Sequence, residues 1–408
     1  GGSFHDALAD NLADFTLRPV KAHDFIDMFI QGKCNVLAAL PHLIAESNPE
    51  LMLKNEGYAG EYKVGKTVLF SEPISMVTRE DDKKWSDFVN WVFRSLVAAE
   101  EQNITSSTAS KFMTTTVFGD KYKDMFVNAI QSVGNYGDIY RRHMERIIPR
   151  DSLKPNMLNN GSTGLHFAHL LGNPNKSSPD PIAGSTMHSI TKEEGKLRCG
   201  IFAREGFGMK YISTTGTRWQ GMDADYCYAL SASLFEGDID KVVFVNLTNY
   251  ADGFQALENG LVDVVAGVPL TLEGDVKEIT TGKGYTFSIP YFYGDKSGTL
   301  LQDNESKTPQ GALSLVTRED DSQWSDFVFW IVSATFIAED QFITQKISED
   351  MMGVPAFGPS FINMHRHAIG AAGNYAEIYT RNVESMLPRQ GRNVLNTNPF
   401  ESQQFSFF

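Results

Sequence analysis

The sequence contains a long segment that occurs twice, with no net insertion between the two occurrences. Thr-Arg-Glu-Asp-Asp begins at Thr78 and again at Thr317, and Gly-Asn-Tyr begins at Gly134 and again at Gly373. The shift is 239 positions at both places. A repeat with such constant spacing indicates a duplicated structural unit and not a shared short motif. We call residues 73–150 copy 1 and residues 309–408 copy 2.

Each copy is predicted to be helical and to need a partner surface. In copy 1, an apolar stripe at helical spacing starts at Trp85 and ends at Leu96, and Asp82 stands before it as a predicted N-cap. A second predicted helix ends near Gly134 and is followed by a third. Amphipathic helices of this kind bury their apolar face against another element, so copy 1 and copy 2 should each be attached to a larger unit.

Helices alternate with strands before each copy. Residues 190–308 predict strand 197–202, helix 222–235, strand 241–245, helix 250–259 and strand 262–266, and residues 1–72 show a similar alternation. Gly32 and Gly260 are each expected to end a helix just before a buried strand. This order is typical of α/β layers with parallel strands. Residues 151–189 are rich in Asn, Pro, Gly and Ser and are predicted to be an extended tail and linker.

Composition excludes several classes of partner. A net charge of −14 disfavours nucleic acid and anionic membrane surfaces, and no apolar run is long enough to insert directly into a membrane. Five N-x-S/T sequons favour a secreted glycoprotein. They begin at Asn103, Asn160, Asn175, Asn246 and Asn304.

Neither a metal centre nor a catalytic motif is predicted. Three cysteines are too few and too scattered for a metal knuckle, and no Cys or carboxylate completes a ligand set around the histidine pairs. The pairs are His166 with His169 and His365 with His367. No nucleophile elbow, phosphate loop or recognisable carboxylate pair is present. We therefore expect no cofactor, no metal and no enzymatic activity.

Three segments carry a family resemblance. Residues 195–200, 219–227 and 254–264 resemble lobe 1 of the type 2 periplasmic binding proteins that serve polar and general amino-acid ABC transporters. Copy 1 and copy 2 resemble the C-terminal helices of the general L-amino-acid branch. The resemblance implies a two-lobed α/β clamshell with mainly parallel sheets and duplicated helical tails. It also implies an extracellular or periplasmic protein that captures an amino acid in the cleft between its lobes.

The order of segments departs from that family, in which lobe 1, lobe 2 and the C-terminal helices follow one another. Residues 1–72 resemble lobe 2 and residues 190–308 resemble lobe 1, and each is followed by a tail. The chain thus resembles a tandem duplicate without its first lobe 1 and its second lobe 2. Either the two lobes face each other in one chain, or copy 1 covers its apolar stripe on another chain. The second alternative predicts a homo-oligomer or association with a related lobe-bearing chain.

The resemblance also identifies ligand-binding positions. In the family, an arginine after the lobe 1 strand binds the ligand carboxylate and an aspartate in lobe 2 binds the ammonium group. The matching positions here are Gly267 and Leu40, and neither side chain is charged. Arg204 is a candidate replacement, although a solvated surface arginine is the alternative. The predicted ligand-binding residues are Arg204, Phe207, Gly267, Thr271, Leu40 and His42.

Two functions remain open at this point. The chain is either a solute-binding protein that has changed its ligand, or a secreted structural or assembly protein that reuses the fold. Trp219 is either a ligand contact or a core residue that anchors the first helix of the lobe. Cys199 and Cys227 either form a disulfide or are two buried thiols, and Cys34 is expected to be a small core residue.

Overall fold

A mixed β-sheet forms the centre of the computed structural model, in which the predicted strands of residues 190–308 come together. The structure describes residues 25–36, 57–58, 60, 75–79, 81–146, 149–150, 156, 179–213, 216–275, 284–294, 311–390 and 393–394. Leu40 and His42 lie outside these residues, as does most of the lobe predicted in residues 1–72. The described part of that lobe includes one helix, α1 (Phe25–Ile30), which ends at Gly32 with a φ of +68°.

The sheet has three parallel strands at one side and antiparallel strands at the other. The strands are β1 (Leu197–Phe202), β4 (Val242–Leu247), β5 (Val264–Pro269), β6 (Tyr285–Phe287), β7 (Phe292–Tyr293) and β8 (Ala312–Arg318). Their order is β4-β1-β5-β8-β6, and β7 also pairs with β8. β4 and β5 run parallel to β1 on its two sides, whereas β8 is antiparallel to β5 and β6.

Crossover helices cover both faces of the parallel strands. α6 (Met222–Leu234) follows a hairpin of β2 (Met209–Ser213) and β3 (Gly216–Gln220), and α7 (Tyr250–Glu258) connects β4 to β5. On β5, Val264 and Ala266 pack into the cluster that contains α6, while Val265 and Val268 pack into the cluster that contains α7. Burial on both faces explains the nearly continuous apolar sequence of this strand. We call β1 to β7, residues 197–294, the α/β unit.

Copy 2 packs on the α6 side of this unit. It consists of β8, α9 (Ser322–Asp340), α10 (Met364–Ala372) and α11 (Tyr375–Asn382). Its apolar residues share one core cluster with α6 and with the strands. At the end of the segment predicted as a linker, a short helix α5 (Thr186–His188) also joins this core, and its Thr186 amide donates to Asp321 Oδ2 at 2.7 Å.

Copy 1 forms a separate helical cluster. Its helices are α2 (Lys83–Glu101), α3 (Met125–Val133) and α4 (Tyr136–His143). They bury Phe126 and Ile130 in a core of their own, against which Leu272 of the short helix α8 (Leu272–Asp275) also packs. Trp91 Nε1 donates to Asp275 Oδ2 at 2.8 Å, so copy 1 touches the α/β unit through one side of α2.

No helix among the described residues has the length and apolar character needed to cross a bilayer.

Candidate ligand-binding site

A crevice is expected where the carboxyl ends of neighbouring parallel strands meet, because crossover helices leave the sheet in opposite directions there. In this chain β1 lies between β4 and β5, and α6 and α7 lie on opposite faces. Arg204 follows the end of β1, and Gly267 lies near the end of β5. These two residues, predicted from the family resemblance as ligand-binding positions, therefore lie at the edge of the sheet at which ligands bind in open α/β folds.

The Arg204 guanidinium lies across this edge and is bound by three different elements. Nη1 donates to the Tyr250 hydroxyl at 3.1 Å, and Nη2 donates to the Gly267 carbonyl oxygen at 2.6 Å and to Asp223 Oδ2 at 3.4 Å. The rings of Phe202 and Tyr250 lie 5.2 and 5.9 Å from its central carbon. The Arg204 side chain is 20% exposed, so it is not the solvated surface arginine that was the alternative.

Asp223, in the first turn of α6, is the charged partner of this arginine and is completely buried. Its Oδ1 accepts a hydrogen bond from the Tyr291 hydroxyl at 2.6 Å. Burial raises the pKa of Asp223 above its ordinary value, while the Arg204 charge and the Tyr291 hydrogen bond lower it. Burial and the adjacent carboxylate raise the pKa of Tyr291 well above its ordinary value. Tyr291 therefore stays protonated and donates to the carboxylate at neutral pH.

Gly267 is glycine for a steric reason that involves the same arginine. Its φ is +75°, and a Cβ at this position would lie 2.2 Å from both Arg204 Nη2 and Asp223 Oδ2. No side chain fits there while Arg204 is in place. Arg204, which follows β1, thus fills the space beside Gly267. Gly267 is the position on β5 at which the family resemblance implies an arginine.

The other predicted site residues occupy different places. Phe207 is buried in the core and packs edge-on against Phe292, with ring centroids 4.8 Å apart, and its ring also lies 5.9 Å from the central carbon of the Arg204 guanidinium. Thr271 Oγ1 accepts from the Gly274 amide at 3.0 Å and caps the start of α8. Trp219 is a core residue next to Ala224 of α6.

The structure joins Cys199 of β1 to Cys227 of α6 by a disulfide, and Cys34 is a half-buried free thiol. Asn103 and Asn246 are exposed; the other three sequons, at Asn160, Asn175 and Asn304, fall outside the described residues. The part of the chain that the structure describes holds no group of three or more His, Cys, Asp and Glu side chains able to bind a metal ion.

Sequence reasoning missed Tyr250 and Tyr291. Both lie far from Arg204 along the chain, one at the start of α7 and the other just before β7, and neither is part of a spaced motif. Their assignment requires the strand order, because only the adjacency of β1, β5 and β8 brings these elements to one edge. Among the partners of Arg204, only Asp223 could be located from the sequence, because the family resemblance implies an aspartate at the start of the first helix.

The mixed sheet and its crossover helices define an α/β protein, as the sequence predicted. No family model matches the chain. It is 28% identical over 159 residues to the glutamate/glutamine/aspartate/asparagine-binding protein BztA of Rhodobacter capsulatus, which is 33% of this chain and 46% of that protein. It is 29% identical over 111 residues to the general L-amino acid-binding periplasmic protein AapJ of Rhizobium johnstonii, which is 23% of this chain and 32% of that protein.

The chain is therefore similar in sequence to parts of two periplasmic amino-acid-binding proteins, and it spans less than half the length of each. The relatives are named as binding proteins and not as enzymes. Among solved structures, a glutathione-bound ABC transporter periplasmic binding protein from Brucella ovis has a TM-score of 0.39 and 21% identity, and the match covers 53% of this chain and 99% of that one. A cysteine-binding protein from Campylobacter jejuni has a TM-score of 0.29 and 13% identity over 49% of this chain and 94% of that one.

Proposed function

We propose that this chain is an extracellular or periplasmic binding protein, without enzymatic activity, whose crevice at the ends of β1 and β5 holds an amino acid or a similar small molecule. Two relatives are named for amino-acid binding, and both match this chain over only part of their length. The observation that carries the proposal is the position of Arg204, which presents a guanidinium at the sheet edge where such folds bind ligands.

The hydrogen-bond inventory of Arg204 supports a ligand at this place. A guanidinium has five N–H donors, and the described contacts use Nη1 and Nη2 only. Within the described part of the chain, Nε is buried without a hydrogen-bond partner. A buried donor left unpaired costs about 1–3 kcal/mol, so an acceptor that reaches it is favoured.

The charge balance at Arg204 disfavours a ligand that contacts this guanidinium through a carboxylate. Asp223 already neutralises the guanidinium, so a carboxylate would compete with a buried protein group. A ligand that accepts a hydrogen bond without a full negative charge avoids this competition. Amides such as glutamine and asparagine therefore should bind more tightly than glutamate and aspartate.

A thermal-shift titration with these four amino acids tests the proposal. A ligand that binds only the folded chain stabilises it by about 2.7 kcal/mol at a hundredfold excess over its Kd, so the melting temperature should rise with concentration. Arg204→Met should abolish the rise, whereas Arg218→Met, at a half-exposed arginine of β3, should keep it. No response of the wild-type chain to any of the four compounds at millimolar concentration would reject the proposal.

A structural or assembly role is the second candidate, and a different observation favours it. Copy 1 exposes large apolar side chains, among them Val77 and Trp85, that its own helical cluster does not cover. Exposed apolar patches of this kind mark interaction surfaces. This role predicts that the chain binds a protein partner, either a second copy or a related chain. It also predicts that none of the four amino acids raises the melting temperature. The net charge of −14 disfavours nucleic acid in either case.

A further inference from the structure

We infer that the exposed face of copy 1 binds an α/β unit of the same kind as residues 197–294, carried by another polypeptide. We call this face the docking face. The inference deepens the assembly role and leaves amino-acid binding at Arg204 untouched. The residues of the docking face are Met76, Val77, Trp85, Phe93 and Val133.

The equivalent residues of copy 2 show what such a face binds. Val77 is 93% exposed and Trp85 is 53% exposed, whereas their counterparts Val316 and Trp324 are almost completely buried. The full set of counterparts, 239 positions later, is Leu315, Val316, Trp324, Val332 and Ala372, and all five are buried. The equivalent positions are therefore covered in one copy and exposed in the other, and two of the five residues are identical.

Three kinds of contact cover the face of copy 2. Val316 of β8 pairs with Val265 of β5 and with Phe287 of β6. Trp324 Nε1 donates to the Asp263 carbonyl oxygen at 2.9 Å. The apolar residues of α9 and α10 pack in one cluster with α6. All three partners belong to the α/β unit.

Copy 1 retains the tryptophan that donates the hydrogen bond in this interface and two of its valines. Val77, Trp85 and Val89 are identical to Val316, Trp324 and Val328. Residues 75–77, which correspond to part of β8, are exposed and form no β-ladder with other described residues. A partner strand could add to them as in β-augmentation, and the Trp85 indole could donate to a backbone carbonyl as Trp324 does.

Within the described residues, no second α/β unit is left for copy 1 to cover. The described residues contain one sheet of this type, and copy 2 already covers it. A second copy of the chain brings a second sheet but also a second copy 2. A complex of identical chains would therefore have to displace a buried tryptophan to seat copy 1. Another polypeptide with an uncovered α/β unit meets no such cost.

The fit can be tested inside the full chain by giving α9 and α10 of copy 2 four residues from the equivalent helices of copy 1. The substitutions are I331V, V332F, F336V and A372V, which replace buried residues of α9 and α10 by those at the equivalent positions of copy 1. Two of them add volume and two remove it, and cores tolerate such compensated changes best. We expect a cooperative unfolding transition and a melting temperature lowered by no more than about 8 °C. The Trp324 side chain should remain inaccessible to solvent.

V332F alone is the matched control, because it adds volume without compensation and should lower the melting temperature more than the fourfold variant. Loss of the cooperative transition in the fourfold variant, or solvent access to Trp324, would overturn the inference, because the copy 1 residues would then not fit such a unit.

A mixing experiment tests binding between chains. The probe is the full-length Trp324→Asp chain, whose own copy 2 no longer fits its α/β unit. Light scattering should show a one-to-one complex with the wild-type chain and no complex with the Trp85→Asp chain. Absence of a complex with a folded probe contradicts the inference; if circular dichroism shows that the probe is unfolded, the fourfold variant alone decides. Self-association of the wild-type chain that Trp85→Asp removes would identify a second copy as the occupant and overturn the inference.

Discussion

Copy 1 and copy 2 make the same internal hydrogen bonds although they lie in different surroundings. Asp82 caps α2 by accepting from the Trp85 amide at 3.1 Å, and Asp321 caps α9 by accepting from the Trp324 amide at 3.0 Å. Asn135 and Asn374 form equivalent capping boxes at α4 and α11. Further matched bonds join Thr78 to Ser86 and Thr317 to Ser325, at 2.6 and 2.7 Å, and Arg150 to Glu100 and Arg389 to Glu339.

The two copies differ in what covers them. In copy 2, β8 is part of the sheet and 12 of the 19 residues of α9 are buried, many of them in the core shared with the α/β unit. In copy 1, only Ser95, Leu96 and Ala99 of the equivalent helix α2 are buried. Local sequence therefore builds the same scaffold twice, and the presence of a neighbouring sheet determines whether its outer face becomes a core. The following substitutions test this difference, in order of decreasing expected effect.

The largest difference should come from the two tryptophans. Trp324→Ala removes a buried indole and its hydrogen bond to the Asp263 carbonyl, and should lower the free energy of unfolding by about 3–5 kcal/mol. Trp85→Ala changes a half-exposed side chain and should cost about 1 kcal/mol or less. Urea denaturation of both variants measures the two values. Equal losses would mean that the docking face is covered in the isolated chain.

The second difference concerns pH. Phe126 of copy 1 is replaced in copy 2 by His365, and complete burial lowers the pKa of His365 to about 4. The unfolded chain binds this proton at an ordinary pKa of about 6.5, so stability should fall as the pH drops from about 6.5 to about 4. The loss should be about 3 kcal/mol at most.

The exchange His365→Phe should remove this acid sensitivity, and Phe126→His should introduce it into copy 1. Urea midpoints at pH 7 and pH 4.5 give the result. An unchanged pH dependence in His365→Phe would show that other groups cause the acid sensitivity.

The arginine–carboxylate pairs should respond alike in the two copies, because they lie inside each copy. Arg150 and Arg389 each stack on two tyrosines and bind a partly buried glutamate. Arg150→Met and Arg389→Met should each cost about 2–3 kcal/mol by leaving that glutamate unpaired. A double-mutant cycle with Glu100→Gln and Glu339→Gln measures the coupling in each copy. A coupling energy found in only one copy would argue against a shared scaffold.

The helix caps should give the smallest effects. Asp82→Ala removes a single cap and should cost about 1 kcal/mol. Asp321→Ala also removes the acceptor of the Thr186 amide, so it should cost about 1 kcal/mol more. Thermal unfolding of the two variants, with Asn caps (Asp82→Asn, Asp321→Asn) as controls that keep an acceptor, measures the difference. An effect of Asp82→Ala larger than that of Asp321→Ala would contradict this ranking.

Several features were predicted from the sequence because they depend on neighbouring residues. The Asp82 cap, the helix ends at Gly32 and Gly260, and the strand at 197–202 follow from side-chain periodicity and from glycines that adopt positive φ. The α/β class followed from the alternation of these elements. The disposition of Phe207 did not follow, because an apolar residue beside a strand end has the same local sequence whether it faces a ligand or a core.

By itself, the sequence determined the repeat, the helices and strands, and the residues that cap them, since these depend on contacts a few positions apart. Only the tertiary structure decided which copy is covered and which charges meet. Arg204, Asp223, Tyr250 and Tyr291 converge because parallel strands bring their carboxyl ends to one edge. Likewise, Trp85 and Trp324 have the same local sequence and opposite surroundings, because burial depends on the sheet that lies against a helix and not on the helix itself.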